Sequence, residues 1–191
     1  MLAFLLVLLC VPQMQPRRGT PQPTPDAGTV TAAELSPEQI EQRIHMYLGT
    51  IEKPITPAMW QRLGPGAIPQ LEKIARDSSQ FPTRRAMAID GIAAIGSLTA
   101  PDLMLQLARD EKEPTVVRLA AIGGAGRVLP KDHLPTELQS VMENATNGNV
   151  RKAAAEVLAM HGGCAAVRAQ AKREQHRERM AKALKTCSQK R

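Results

Sequence analysis

Aromatic side chains are nearly missing from this 191-residue chain: Phe4, Tyr47, Trp60 and Phe81 are all of them, 2 % of the sequence. Alanine, leucine and isoleucine must therefore build the core. That suits closely packed helices and argues against a β-sandwich or a deep aromatic ligand pocket. No stretch alternates apolar and polar residues in the manner of a strand. Signatures of chemistry are equally scarce. The four histidines, His45, His133, His161 and His176, form no metal-binding spacing with one another. His161 and Cys164 stand three apart, but Gly162 and Gly163 break the helix between them, and no further ligands complete a zinc site. There is no phosphate loop: Gly123-Gly124-Ala125-Gly126 lies inside a helical pattern, where glycines allow close helix packing. No serine elbow and no clustered carboxylate pair occur. The expectation is a chain with no catalytic residue, no metal and no cofactor.

What is present is a repeat. Arg85, Arg118 and Arg151 stand at a constant period of 33 residues. Each is followed three positions later by alanine, at Ala88, Ala121 and Ala154. Each is preceded eight positions earlier by an acid, at Asp77, Asp110 and Glu143. After each arginine, apolar residues recur at helical spacing: Ala88, Ile89, Ile92 and Ile95; Ala121, Ile122, Ala125 and Val128; Ala154, Ala155 and Leu158. Gly96 and Gly162 suit the residue just past a helix end. A second helix lies between these. Ala67 to Asp77 aligns with Ala100 to Asp110, and the tripeptide Ala-Arg-Asp recurs unchanged at the same period. Pro101 fits the first turn of its helix, where a missing N–H is harmless. The third copy, Leu134 to Glu143, keeps only Leu138, Val141 and the acid in register. Such a period predicts an all-α stack of two-helix units, a short α-solenoid.

The run Asp110-Glu111-Lys112-Glu113-Pro114-Thr115-Val116-Val117-Arg118-Leu119-Ala120-Ala121 resembles the HEAT-type repeat, and more closely the short bacterial HEAT-like repeat: an acid, a turn, then Val-Arg and two small residues. Asn149-Val150-Arg151-Lys152-Ala153-Ala154 matches as well, whereas Thr83-Arg84-Arg85 lacks the valine. The resemblance spans about residues 56 to 187. It implies that the acid and arginine columns, Asp77, Arg85, Asp110, Arg118, Glu143 and Arg151, form a ladder between adjacent units; the other reading is that both columns are solvated helix ends. It implies little about function, because the fold carries scaffolds, bilin lyases and DNA glycosylases alike.

The first ten residues, Met1 to Cys10, form an uncharged apolar run ending in cysteine. The run falls short of the ~20 residues that span a bilayer, and reads as a signal-peptide core. Cys10 resembles the acylated cysteine of a bacterial lipoprotein signal, a candidate lipidation site. The segment departs from that pattern in having no Lys or Arg before the core and Leu9 before the cysteine. Residues 11–35 carry Pro12, Pro16, Pro21, Pro23 and Pro25 among Thr, Gln and Gly, and read as a disordered tether. Order is expected from Ser36, which can cap a helix with Pro37 in its first position and Gln39 closing the capping box. Ile40, Ile44, Tyr47 and Leu48 form the stripe of that helix, and Gly49 ends it. Met46 and Trp60 are expected in the core. The repeat domain then runs over 36–187, leaving 188–191 as a basic tail.

The net charge of +7 belongs wholly to the C-terminal end. From Cys164 onward nine bases, among them Arg168, Lys172, Arg173, Arg177, Arg179, Lys182 and Lys185, face two acids, Glu174 and Glu178. This end suits nucleic acid, anionic lipid or an acidic partner, or is simply a solvated face. The same segment holds Cys164 and Cys187. Neither Gly nor Pro separates them, so one helix would hold them ~34 Å apart. The repeat argues instead for a hairpin, because Arg177, Met180, Leu184 and Cys187 match Arg85, Ala88, Ile92 and Ile95. A turn near Glu174 to His176 then brings both cysteines to the open end, as a candidate disulfide in an oxidising compartment.

The expected function is that of a non-enzymatic protein-binding scaffold of the bacterial cell envelope, with an unidentified protein partner and a membrane tether through Cys10. Two alternatives stand beside it: a bilin-lyase-like enzyme and a nucleic-acid-binding protein. The first would work in the cytosol and need no exported tether. The second would need a basic concave face, whereas the basic charge here sits at one end, so nucleic acid is not the expected partner.

Overall fold

A computed structural model describes residues 35–50, 54–97 and 99–189 of the chain. Residues 1–10 with Cys10, and the linker as far as residue 34, lie outside the described residues. Among the described residues every regular element is helical. The sequence accounts for the first of them in detail. Helix α1 spans Pro37–Gly49. The Ser36 hydroxyl accepts a hydrogen bond from the Gln39 N–H, and the Gln39 side-chain oxygen accepts one from the Ser36 N–H. This reciprocal cap satisfies two N–H groups that the first turn would leave unpaired. The expected stripe Ile40, Ile44, Tyr47 and Leu48 is buried.

Helix α2, Pro57–Gln61, is a five-residue element that the periodicity did not announce. It delivers Trp60 into the core, 2 % exposed, with its ring edge-on to Tyr47 at a centroid distance of 5.3 Å. Met46 does not join it. At 59 % exposure it faces solvent, because it sits two residues after buried Ile44 and so on the opposite side of α1.

Four helix pairs follow. Helix α3 (Ile68–Arg76) packs on α4 (Pro82–Ile95), α5 (Ala100–Arg109) on α6 (Thr115–Val128), and α7 (Leu134–Asn144) on α8 (Gly148–Met160). The last pair is α9 (Cys164–Arg173) and α10 (Ala181–Gln189), with a 3₁₀ turn over Arg177–Met180 between them. Helix α10 takes in Ser188 and Gln189. Helices α4, α6, α8 and α10 form a row, each packed against the next. Helices α5, α7 and α9 pack more loosely along a second row. Gly96 ends α4 with φ of 83°, and Gly162 follows α8 with φ of 94°, a backbone that favours glycine. Cys164 and Cys187 are bonded, with their Cα atoms 5.5 Å apart. The last pair is therefore a hairpin closed covalently at its open end.

A core of small side chains demands that helices approach closely, and glycines inside helices allow it. In α6, a Cβ on Gly124 would stand 2.7 Å from the Met104 sulfur, and one on Gly126 would stand 2.7 Å from Val157. In α4, a Cβ on Gly91 would stand 2.9 Å from the Trp60 ring and 3.2 Å from Leu71. Gly123 differs, since nothing lies within 4 Å of its Cβ position. Two outcomes follow for thermal unfolding. Gly123→Ala should stabilise the protein by roughly 0.5–1 kcal/mol, the ordinary helix-propensity gain. Gly91→Ala carries the same gain but must displace an indole, and its melting temperature should fall below wild type. Equal shifts in both variants would show that Trp60 does not pack on Gly91. Replacing both Cys164 and Cys187 by serine should cost about 3 kcal/mol, from the loop entropy returned to the unfolded chain. An unchanged melting temperature would contradict a structural role for the bond.

Candidate functional site

The residues that repeat most strictly are three arginines, and two of them are buried. Arg85 is 2 % exposed and Arg118 is 3 % exposed. A buried guanidinium is stable only when its donors are used. Nε of Arg85 donates to the Ala75 carbonyl at 2.8 Å, and Nε of Arg118 donates to the Ala108 carbonyl at 3.1 Å. Ala75 and Ala108 lie in the last turns of α3 and α5, where carbonyls lack an intrahelical partner. Arg85 and Arg118 thus each close the end of the preceding helix packed on their own, α3 and α5. The cation also sits at the negative end of that helix dipole. Arg151 does the same with different atoms. Its Nη1 donates to the carbonyls of Ala145 and Thr146 at 2.9 and 2.8 Å, just past the end of α7.

Each guanidinium also meets a glutamate. Arg85 donates from Nη2 to Glu113 Oε1 at 2.8 Å, and its Nη1 stands 2.7 Å from Oε2 as an ion pair without hydrogen-bond geometry. Arg118 donates from Nη2 to Glu111 at 2.8 Å, and Glu111 also accepts from the Thr146 N–H at 3.3 Å and from its hydroxyl. Arg151 grips Glu174 through Nε and Nη2 at 2.8 and 2.7 Å. Glu113 and Glu174 come from turns of the following pair, and Glu111 reaches forward to Thr146. Each bond set therefore ties one helix pair to the next.

The acid column does not form this ladder. Asp77 accepts from the Ser79 N–H at 2.9 Å and Asp110 from the Lys112 N–H at 2.9 Å, so both cap the turn that follows their helix. Glu143 accepts from Gln139. It lines a cavity with Arg151 but makes no ion pair with it. The period of the aspartates therefore reflects a repeated turn. The arginine partners Glu113, Glu111 and Glu174 stand at three different offsets from their arginines, so no periodic column announced them.

Pairing moves the acids. The Arg118 hydrogen bond, with that of Thr146 behind it, lowers the Glu111 carboxyl from 4.5 to about 2. The Arg151 hydrogen bond lowers Glu174 against the opposing effect of its burial, and raises Arg151 in return. Among the histidines, His45 Nδ1 stands 2.9 Å from Arg84 Nη2, and His133 and His176 stand beside Asp132 and Glu178. Cys164 is committed to Cys187 and so is not a free partner for His161. Among the described residues no three His, Cys, Asp or Glu groups gather as a metal site, and no helix is long and apolar enough to cross a membrane.

The solvent side of the first row has a different character. Partly buried apolar residues Met87, Leu119, Ala120 and Ala153 lie along α4, α6 and α8. Leu119 and Ala153, with Asn149, Lys152 and Glu156, line an open hollow of about 360 Å³. Ion pairs span neighbouring helices of this row: Arg127 of α6 with Asp90 of α4 at 2.6 Å, and Lys182 of α10 with Glu156 of α8 at 2.8 Å.

Truncating the arginines should rank by burial of the partner left behind. Arg85→Ala and Arg151→Ala each strand a carboxylate with little solvent, Glu174 being only 1 % exposed in its side chain, and should cost about 3 kcal/mol or more. Arg118→Ala leaves Glu111, 43 % exposed, and should cost about 1.5–3 kcal/mol. Thermal unfolding checks the order, and three equal small losses would contradict it. The lowered carboxyls also fix a pH dependence. A carboxyl lowered on folding stabilises the protein above its ordinary value of 4.5, and that contribution fades as pH falls toward about 2. Wild type should therefore lose melting temperature over this window. Glu111→Gln should start lower at neutral pH and fall less steeply; parallel curves would refute the linkage.

No family model, curated protein or solved structure matches this chain.

Proposed function

We propose that this chain is a short HEAT-like α-solenoid and acts as a non-enzymatic, protein-binding scaffold of the bacterial cell envelope. The repeat reading is supported by arginine bonds that recur at 33 residues, from Arg85 to the end of α3 and from Arg118 to the end of α5. The binding reading is carried by one observation, the partly covered apolar residues Met87, Leu119, Ala120 and Ala153 of α4, α6 and α8, of which Leu119 and Ala153 line one open hollow beside Lys152 and Glu156. A partly open apolar surface beside charged side chains has the anatomy of a protein interface. Export is supported by the apolar run before Cys10 and by the Cys164–Cys187 bond, which suits an oxidising compartment.

A photo-crosslinking residue introduced at Leu119 or Ala153 should give one discrete protein adduct in intact cells. The same residue at Asp102, exposed on α5, should give none. Leu119→Glu should abolish the Ala153 adduct without lowering the melting temperature. Adducts of equal yield at all three positions, or none anywhere, would overturn the scaffold reading. Location is tested separately by fractionation: Cys10→Ser should release the protein from membranes if Cys10 is acylated, and an unprocessed cytosolic protein would contradict export.

A further inference from the structure

The exposed arginines of the middle helices and those of the last helix pair differ in their partners. Across α3 to α8 the exposed arginines are engaged: Arg76 with Gln106, Arg109 with Glu137, and Arg127 with Asp90. On the last helix pair, Arg168, Lys172, Arg173, Arg177 and Lys185 are exposed, and among the described residues none of them has an ion-pair partner. Of the two acids in that segment, Glu174 is buried under Arg151 and Glu178 stands beside His176. The charge is therefore uncompensated locally. It is also held in a fixed shape. Arg168 and Lys172 are one turn apart on α9, and Lys185 lies on the side of α10 opposite buried Ala183 and Cys187. The disulfide pins the two helices that carry these side chains.

We infer that this α9–α10 cap is an electrostatic docking surface for an anionic phospholipid bilayer. The inference goes beyond the scaffold reading, because it concerns a different surface and a different partner. Three observations select a lipid surface among polyanions. The last aromatic residue of the chain is Phe81, so the cap has no platform on which nucleic-acid bases could stack. None of the large exposed apolar residues, Met46, Phe81, Val116 and Met160, lies on α9 or α10. An acidic protein segment would need such anchors for a stable interface, whereas adsorption to a charged bilayer needs only the cations. The disulfide, finally, suits an oxidising compartment, and on the export reading proposed above a membrane surface is a polyanion within reach of the cap.

The test is co-sedimentation of the full chain with vesicles of phosphatidylglycerol and phosphatidylcholine at 3:7, compared with pure phosphatidylcholine. The ratio of the two partition constants removes any contribution from the apolar N-terminal run, which does not distinguish the lipids. Wild type should prefer the anionic vesicles, and raising the salt concentration should abolish the preference. Arg168→Glu, Lys172→Glu and Arg177→Glu together should reduce it at least tenfold, given about fivefold per basic side chain near such a surface. The milder triple glutamine variant should give a smaller loss and serves if charge reversal disturbs folding. Equal partition of wild type onto both vesicles, or a preference that survives both triple variants, would overturn the proposal. So would tighter salt-dependent retention on duplex DNA than on the anionic vesicles.

Discussion

A helix that ends inside a protein leaves carbonyl oxygens without partners, and this fold depends on how it meets that need. Helices α4, α6 and α8 each carry one arginine whose donors reach the end of the preceding helix packed on them. Water does the same work at an exposed helix end at little cost. Here the ends of α3 and α5 are covered by buried Arg85 and Arg118, so the bonds must come from the protein itself. Once a guanidinium is buried to supply them, its charge must be balanced, and Glu113, Glu111 and Glu174 come in from the turns. One requirement thus sets the position of a cation, of an anion and of the turn that carries the anion.

That chain of dependence links local sequence to long-range order. Arginine suits the task better than lysine because its planar fork addresses a carbonyl with Nε and a carboxylate with its outer edge at once. With few aromatics to fill space, the helices approach closely over alanine and glycine, as at Gly91, Gly124 and Gly126. At one end Trp60 fills the space over Gly91; at the other a disulfide closes the last hairpin. The middle relies on arginine, and the two ends on an indole and a covalent bond.

The sequence made legible whatever obeys a period. The arginine column, the α1 cap and stripe, and the break of the last segment into α9 and α10 all follow from spacing and local chemistry. Asp77 and Asp110 share that period, yet they hold the turn, because an aspartate at a helix end reaches its own backbone before it reaches a neighbour. The true partners were hidden, since a turn glutamate meets its arginine through the tertiary fold, and turn lengths differ from unit to unit. Helix α2 was hidden for another reason: five residues are too few to display a helical period. Met46 was legible and misread, because the α1 stripe itself places it on the outer side. The exposed face of α4, α6 and α8 was the least visible feature. Leu119 and Ala153 look like core residues in a sequence, and only the packing of neighbouring helices reveals that they remain partly open.

The central claim is that the geometry of arginine, and not its charge alone, joins these helix pairs. Chemical denaturation of Arg85→Lys tests it most directly, since lysine keeps the charge but has no planar fork to bond the Ala75 carbonyl and the Glu113 carboxylate together. The account predicts that the lysine variant loses most of the stability that alanine loses at this position. A lysine variant as stable as wild type would contradict it.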